Sequence, residues 1–350
     1  MKKGKRIISY RQAINEALRQ EMERDEKVFV YGLDVDDHKR TFGSGEGLLE
    51  CFGAKRYFST PLSEDAMMGL GIGAAINGLR PINVHIRVDF LLLAMNQLGN
   101  MVASLCYGSN GKLYVPLVIR AVIGRGWGQG FQHSKTLQSI FAHMPGLKVI
   151  MPTTPYDAKG MLIAAIRDNN PVLILEHRLL YWQEGLVPEE LFTVPLDKAN
   201  VMISGHNITI AATSWMNVEA FTAAKIMQKR GISVEVVDVR SIAPLDDETI
   251  VKSVIKTGHL IVADYDWLHC GLSAEITTRV YEKCMRFLRS PITRIGFAPT
   301  PCPTTRPLEN LFYPTAKMLV RAIEQKLELQ MADLSNEEFY NYENKFKGPF

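Results

Sequence analysis

Leu147-Lys148-Val149-Ile150, the segment Tyr156 to Arg167, and Val172-Leu173-Ile174-Leu175 form the stretch from which the fold is read. Its ends are short apolar runs of strand length, and its middle carries helical spacing. Strand, helix and fully apolar strand in that order are the rhythm of a parallel sheet covered by helices. Working outward, the same rhythm recurs. Toward the N-terminus, Ser9-Tyr10-Arg11-Gln12 reads as a capping box before a helix whose stripe is Ile14, Ala17, Leu18 and Met22. Val28 to Tyr31 reads as a strand, Glu64 to Asn77 as a helix and Ile82 to Ile86 as a strand. Phe90 to Cys106 reads as one long helix, and Pro116 to Arg120 as a strand. The rhythm lapses at Trp182-Gln183-Glu184-Gly185 and Val187-Pro188-Glu189-Glu190, then resumes. Strands are expected at Ile208–Ala212, Val234–Val237 and Leu260–Ala263, and helices at Val218–Lys229, Asp246–Ile255 and Gly271–Phe287. The expectation is an α/β protein with two doubly wound domains. They span 1–185 and 200–328, with a linker at 186–199 and a tail at 329–350. The tail mixes Glu337, Glu338 and Glu343 with Phe339, Tyr340, Tyr342 and Phe346, which suits an arm on a partner chain or a poorly ordered end.

The 350 residues carry 40 Lys and Arg against 37 Asp and Glu, a net charge of +3, and the basic residues are scattered, so nucleic acid is not the expected partner. Five cysteines with no CxxC spacing signal neither a zinc site nor a disulfide framework. The longest apolar stretch, Phe90 to Met95, is far short of a membrane span. Only Ile7-Ile8 follows the basic start, unlike a signal peptide, so a cytoplasmic location is expected.

Gly69-Leu70-Gly71-Ile72-Gly73-Ala74, with Asp89 downstream, matches the dinucleotide fingerprint and makes a nicotinamide-dependent oxidoreductase a rival reading. The fingerprint should open directly from a strand. Here Ser63-Glu64-Asp65-Ala66-Met67-Met68 precedes it, polar and helical, and the nearest strand candidate ends near Ser59.

Three segments carry possible chemistry. In Thr60-Pro61-Leu62-Ser63-Glu64, Pro61 sets an extended turn and Glu64 falls at a helix start beside Met67 and Met68. A carboxyl group in so apolar a setting could hold a proton, although an acid in a first turn is also ordinary dipole compensation. Gly124-Arg125-Gly126-Trp127-Gly128-Gln129-Gly130 leads to Phe131-Gln132-His133, a loop that lets a ligand approach backbone and ends on a proton donor or acceptor. Ala164 to Pro171 leaves a helix with free carbonyls. These either bind a monovalent cation or form an ordinary polar helix exit.

Together these runs resemble the β subunit of the thiamine-diphosphate-dependent 2-oxo acid dehydrogenases (pyruvate, branched-chain and acetoin). Further matches are Gly78-Leu79-Arg80-Pro81, Gln132-His133-Ser134, His143-Met144-Pro145-Gly146-Leu147-Lys148-Val149, Pro155-Tyr156-Asp157-Ala158-Lys159-Gly160, Ile166-Arg167-Asp168-Asn169-Asn170-Pro171 and Pro244-Leu245-Asp246, in order from about residue 7 to 327. The resemblance implies a transketolase-like pyrimidine-binding domain followed by a transketolase C-terminal-like domain. It implies that Glu64 bonds N1′ of the cofactor's aminopyrimidine, so that the imino nitrogen can deprotonate the thiazolium carbon. It implies that Phe90, with Ile86, meets the pyrimidine, and that His133 assists protonation and acyl transfer. It further implies potassium on the backbone carbonyls of Leu117, Ala165, Ile166, Asp168 and Asn170. The magnesium-binding Gly-Asp-Gly motif of the group is absent from the sequence. Magnesium and diphosphate would then be held mainly by a separate α subunit, in a tetramer of two α and two β chains.

Departures from the family pattern bear on the substrate. Leu33 and Val84 stand where glutamates are common, and Arg125, Trp127 and Gln129 interrupt the glycine loop. Arg87 precedes Phe90 by three residues, where it could meet an anionic substrate or pair with Asp89. The main expectation is decarboxylation of a 2-oxo acid with acyl transfer to a lipoyl group on a dihydrolipoyl acyltransferase. The alternative is a two-chain transketolase-like enzyme that transfers a ketol unit from a ketose or an acyl-anion unit, with no lipoyl partner.

Overall fold

Two compact units make up the computed structural model, which describes residues 6–37, 41–125 and 128–340. One unit is built from residues 6–125 and 135–196, the other from 128–134 and 197–340. Trp127 and residues 341–350 of the expected tail lie outside the described residues.

In the first unit β1 (Ile7–Ser9) runs into α1 (Tyr10–Arg24). Ser9 caps the helix, and the Gln12 side chain returns to the Ser9 N–H at 2.9 Å, completing the expected capping box. There follow β2 (Val28–Gly32), α2 (Leu48–Phe52), β3 (Tyr57–Ser59), α3 (Glu64–Ile76), β4 (Arg80–His85), α4 (Val88–Leu91), α5 (Leu105–Gly108) and β5 (Val118–Ile123). Next come α6 (Gln138–Ala142), β6 (Lys148–Ile150), α7 (Pro155–Arg167) and β7 (Val172–His177). Finally β8 (Glu184–Leu186) pairs antiparallel with β1. Six strands lie side by side in the order β6-β7-β5-β4-β2-β3, all parallel. The stretch that decided the reading is β6–α7–β7. Thr154 caps α7 by accepting from the Asp157 N–H at 3.1 Å, and Pro155 occupies the first turn, where its missing N–H costs nothing. Ala13, Ile14, Ala17 and Leu18 of α1 are buried, and α1 packs on α7. Inside the sheet, Arg120 is buried in a bidentate pair with Glu176 at 2.6 and 2.9 Å, so the two desolvated charges compensate each other.

The second unit contains β9 (Asn200–Ile203), β10 (Ile208–Ala212), α8 (Met216–Gln228), β11 (Val234–Asp238), β12 (Ser241–Ala243), α9 (Asp247–Thr257) and β13 (Leu260–Trp267). These are followed by α10 (Leu272–Cys284), β14 (Thr293–Phe297), α11 (Arg306–Phe312) and α12 (Ala316–Lys326). Its five-stranded sheet has the order β14-β13-β10-β11-β9, parallel except for β9. Residues 329–340 have no helix or strand but are tied down: Ala332 donates to Glu324 at 2.8 Å and accepts from Arg321 at 3.0 Å. Tyr340 meets the Trp215 ring edge-on at 4.8 Å.

One sequence reading changes, and one is borne out. The helix expected over Phe90–Cys106 is instead four short pieces: the end of α4, a 3-10 turn Leu92–Ala94, a π-helical stretch Gln97–Val102, and α5. Spacing cannot distinguish the wider period, which brings both Val102 and Ala103 to the buried side. The fingerprint glycines Gly69, Gly71 and Gly73 all lie inside α3, not in a strand-to-helix turn. Only Gly71 is sterically required. A Cβ there would overlap Tyr31 Oη and crowd Leu117 Cδ1 at 3.1 Å, whereas Gly69 and Gly73 face open space.

Candidate active site

Open parallel sheets bind ligands outside the carboxyl ends of their strands. The first unit places its notable side chains there. β4 ends at His85, and Ile86, Arg87 and Phe90 follow. β5 ends at Ile123, followed by Gly124 and Arg125, and β7 ends at His177, followed by Arg178.

Glu64 opens α3 and is 8% exposed, with Met67 and Met68 buried in the next turn. Ser63 makes no side-chain cap, and of the two acids in the first turn Glu64 is buried while Asp65 is exposed. α3 is seated on the sheet by Tyr31, whose hydroxyl donates to the Met67 carbonyl at 2.8 Å. It also packs against β4 and the segment that follows α4. Ile86 is half-buried and Phe90 exposes 37% of its surface, an aromatic face on an otherwise buried turn.

Asp89, the alternative partner for Arg87, is bonded by Lys135 at 3.0 Å. Arg87 is 6% exposed and donates to the Gly124 carbonyl at 3.3 Å. Gly124 has φ of +86°, and the His177 ring occupies the space a side chain would need, so only glycine fits. His85, missed in the sequence, is buried and bonded to Asn83 Oδ1 at 2.6 Å, and burial lowers its pKa to about 4. His177 is likewise held neutral, by burial and by the positive field of Arg87 and Arg125. The signal that could have found His177 and Arg178 is their position at the end of the apolar run Val172–Leu175.

His133 belongs to the second unit. It follows a 3-10 turn (Gly130–Gln132), is half-buried, and its N–H donates to Gly130 O at 3.4 Å. Gly130 lies against Thr304, whose Oγ1 would be 2.8 Å from an added Cβ, and Tyr313 Oη donates to the Ser134 carbonyl at 3.3 Å.

The loop expected to hold potassium is knitted to protein groups. Arg80 Nη1 donates to the carbonyls of Ile166 at 2.9 Å and Asp168 at 3.0 Å, and its Nη2 to Asn169 Oδ1 at 2.8 Å. The Leu117 carbonyl accepts from Val172 N–H at 3.0 Å, and the Ala165 carbonyl from Asp168 N–H at 3.2 Å. Asn170 donates back to the Asp168 carboxylate at 2.9 Å. Two of the five expected carbonyls, those of Ile166 and Asp168, thus accept from the guanidinium of Arg80. Among the described residues no group of three His, Cys, Asp or Glu side chains could hold a metal ion, and no helix is long and apolar enough to cross a membrane.

Both units find their type among known proteins. The transketolase pyrimidine-binding domain matches residues 6–183 and the transketolase C-terminal domain residues 197–319. A solved structure described as a split gene transketolase, inactive beta4 tetramer, superposes with a TM-score of 0.74. It covers 93% of this chain and 99% of its own at 23% identity, which shows the shared fold. The chain is therefore a two-domain protein of the transketolase class. The acetoin:2,6-dichlorophenolindophenol oxidoreductase subunit beta of Cupriavidus necator is 39% identical over 92% of this chain and 98% of its own. The 2-oxoisovalerate dehydrogenase subunit beta of Bacillus subtilis is 38% identical over 94% and 99%. This chain belongs to the family of 2-oxo acid dehydrogenase β subunits.

Proposed function

We propose that this chain is the β subunit of a thiamine-diphosphate-dependent 2-oxo acid dehydrogenase, which decarboxylates a 2-oxo acid and passes the acyl group to a lipoyl acceptor. The observation that carries the reading is Glu64, a buried carboxylate at the start of α3, beside the carboxyl ends of a parallel sheet. Names of full-length relatives favour this over a ketose-transferring enzyme, and the position of Gly69, Gly71 and Gly73 within α3 disfavours the nicotinamide reading.

The residues fit an aminopyrimidine: a carboxyl group to hold a proton at one ring nitrogen, and an aromatic face to stack on. When bound, thiamine diphosphate supplies the electron sink that decarboxylation needs. Glu64 holds the proton at the pyrimidine, and its burial keeps water from competing for the carboxylate. Phe90 and Ile86 give the ring its apolar wall. His133 donates and accepts protons as the acyl group is handed on. Diphosphate and magnesium are held by the α subunit, since this chain has no Gly-Asp-Gly motif. No step is assigned to potassium, because two of its expected carbonyls are engaged by Arg80.

The test is a paired titration of thiamine diphosphate with magnesium, by calorimetry, into the chain alone and into the chain purified with its α subunit. Binding only by the pair is expected. Tight binding by the lone chain would overturn the split site.

A further inference from the structure

Three arginines converge at the carboxyl ends of three adjacent strands. Arg87 follows β4, Arg125 follows β5 and Arg178 follows β7, and these strands are neighbours in the order β7-β5-β4. Their registers bring the ends of β5 and β7 level, with Ile123 opposite His177, and set the end of β4, His85, opposite Ala121, two residues short of them. All three side chains are buried, at 6%, 2% and 3% exposure. Gly124 is the centre of the group, since Arg87 bonds its carbonyl and the His177 ring fills the space where its side chain would be. His177 Nδ1 accepts from the Leu179 N–H at 3.2 Å, which leaves the ring proton on Nε2, and burial with the field of Arg87 and Arg125 holds the ring neutral. Arg178 lies with its guanidinium 5.2 Å from the centre of the Phe42 ring, and burial together with Arg87 brings its pKa down to about 9. Guanidinium groups so arranged suit an anion with several oxygens.

From this arrangement we infer that Arg87, Arg125 and Arg178 bind a second anionic group on the substrate, a carboxylate or phosphate remote from the reacting 2-oxo acid. The inference rests on the proposed function and narrows its substrate class. The reacting carboxylate is a poor occupant. It loses its charge as carbon dioxide leaves, so cations gathered on it would stabilise the ground state more than the transition state. A remote anion keeps its charge throughout, and its binding can hold the 2-oxo end in place. Arg87 lies three residues before Phe90, which puts the cluster within a substrate's length of the pyrimidine-binding residues.

The experiment uses the enzyme assembled from this chain and its α subunit. Its kcat/KM is measured for 2-oxoglutarate, 2-oxoadipate and a phosphonate-bearing 2-oxo acid against 2-oxobutyrate and 2-oxoisovalerate. A preference of about 100-fold for the doubly anionic acids is expected, and the carboxylate and phosphonate arms decide which anion fits. In Arg87→Gln and Arg178→Gln that ratio should fall by about 100-fold, with partial recovery in Arg87→Lys. A ratio taken within one preparation is insensitive to lost folding. Equal or better use of the neutral acids by the unaltered enzyme, or an unchanged ratio in both variants, would overturn the inference. Calorimetry with glutarate and with inorganic phosphate separates it from the reading on which it rests. If every 2-oxo acid is inert but a probe binds, and Arg87→Gln weakens that binding at least tenfold, the reaction is wrong and the anion site stands. If neither probe binds, the anion site is wrong, whatever the reaction.

Discussion

Replacing Gly71 by alanine tests how α3, and Glu64 with it, is held. In an open helix interior, glycine to alanine stabilises by about 1 kcal/mol, because alanine loses less backbone freedom on folding. At Gly71 the added methyl meets Tyr31 Oη and lies 3.1 Å from Leu117 Cδ1. Tyr31 cannot swing aside: it is fully buried, and its ring centroid is 5.5 Å from Phe29 and 6.0 Å from Phe58. Relief requires α3 to lift or the bond from Tyr31 to the Met67 carbonyl to break. Overpacking costs about 1–3 kcal/mol and the lost hydrogen bond about 1 kcal/mol more. After the intrinsic gain, a net loss of about 1–3 kcal/mol remains. Gly69→Ala and Gly73→Ala meet no atom within 4 Å and should keep the gain of about 0.5–1 kcal/mol. The assay is urea unfolding of the three variants, compared by midpoint at unchanged slope. Stabilisation by Gly71→Ala equal to that of its neighbours would refute the Tyr31 seat. Loss of cofactor binding in Gly69→Ala, with folding intact, would revive the fingerprint reading.

In the enzyme assembled with its α subunit, Glu64→Gln should reduce turnover by at least about 100-fold while subunit assembly, followed by gel filtration, stays intact; near-normal turnover would remove Glu64 from its role. His133→Ala should lower kcat for acyl transfer more than it weakens cofactor affinity, and a loss confined to thermal stability would mark the residue as structural. For pH, His85 titrates near 6.5 when unfolded and at about 4 when folded. Between those values the unfolded chain holds more protons. The stabilisation is therefore complete above about pH 6.5 and is lost as the pH falls toward 4, a change of about 3 kcal/mol that His177 deepens. Urea midpoints at pH 7.5, 6 and 5 would show the decline, and a flat profile would contradict the buried neutral His85.

Much of the fold was legible because local patterning and tertiary demand agree. The apolar run Val172–Leu175 lies between two parallel neighbours in its sheet and is buried on both faces, which matches a short, continuous hydrophobic strand. Ser9 and Gln12 fixed the start of α1 by bonds within four residues. The break-up of 90–106 was not legible, because helical periods differing by under one residue per turn leave similar spacings. β14 and the final helices α11 and α12 were not assigned either, although Leu319, Val320 and Ile323 of α12 form a buried stripe.

The sequence by itself determined the alternation of elements, the absence of a Gly-Asp-Gly motif, and, through collinear motifs, the family. Glu64, Phe90 and His133 came forward as candidate site residues through the family resemblance, since an acid in a first helical turn is by itself ordinary dipole compensation. Only the tertiary structure decided that Gly71 answers to Tyr31, that Arg80 claims two of the carbonyls expected to bind potassium, and that three arginines from distant segments share one place. The physical reason is that a parallel sheet orders its strands by pairing rather than by sequence. Residues 87, 125 and 178 become neighbours only when β4, β5 and β7 lie side by side.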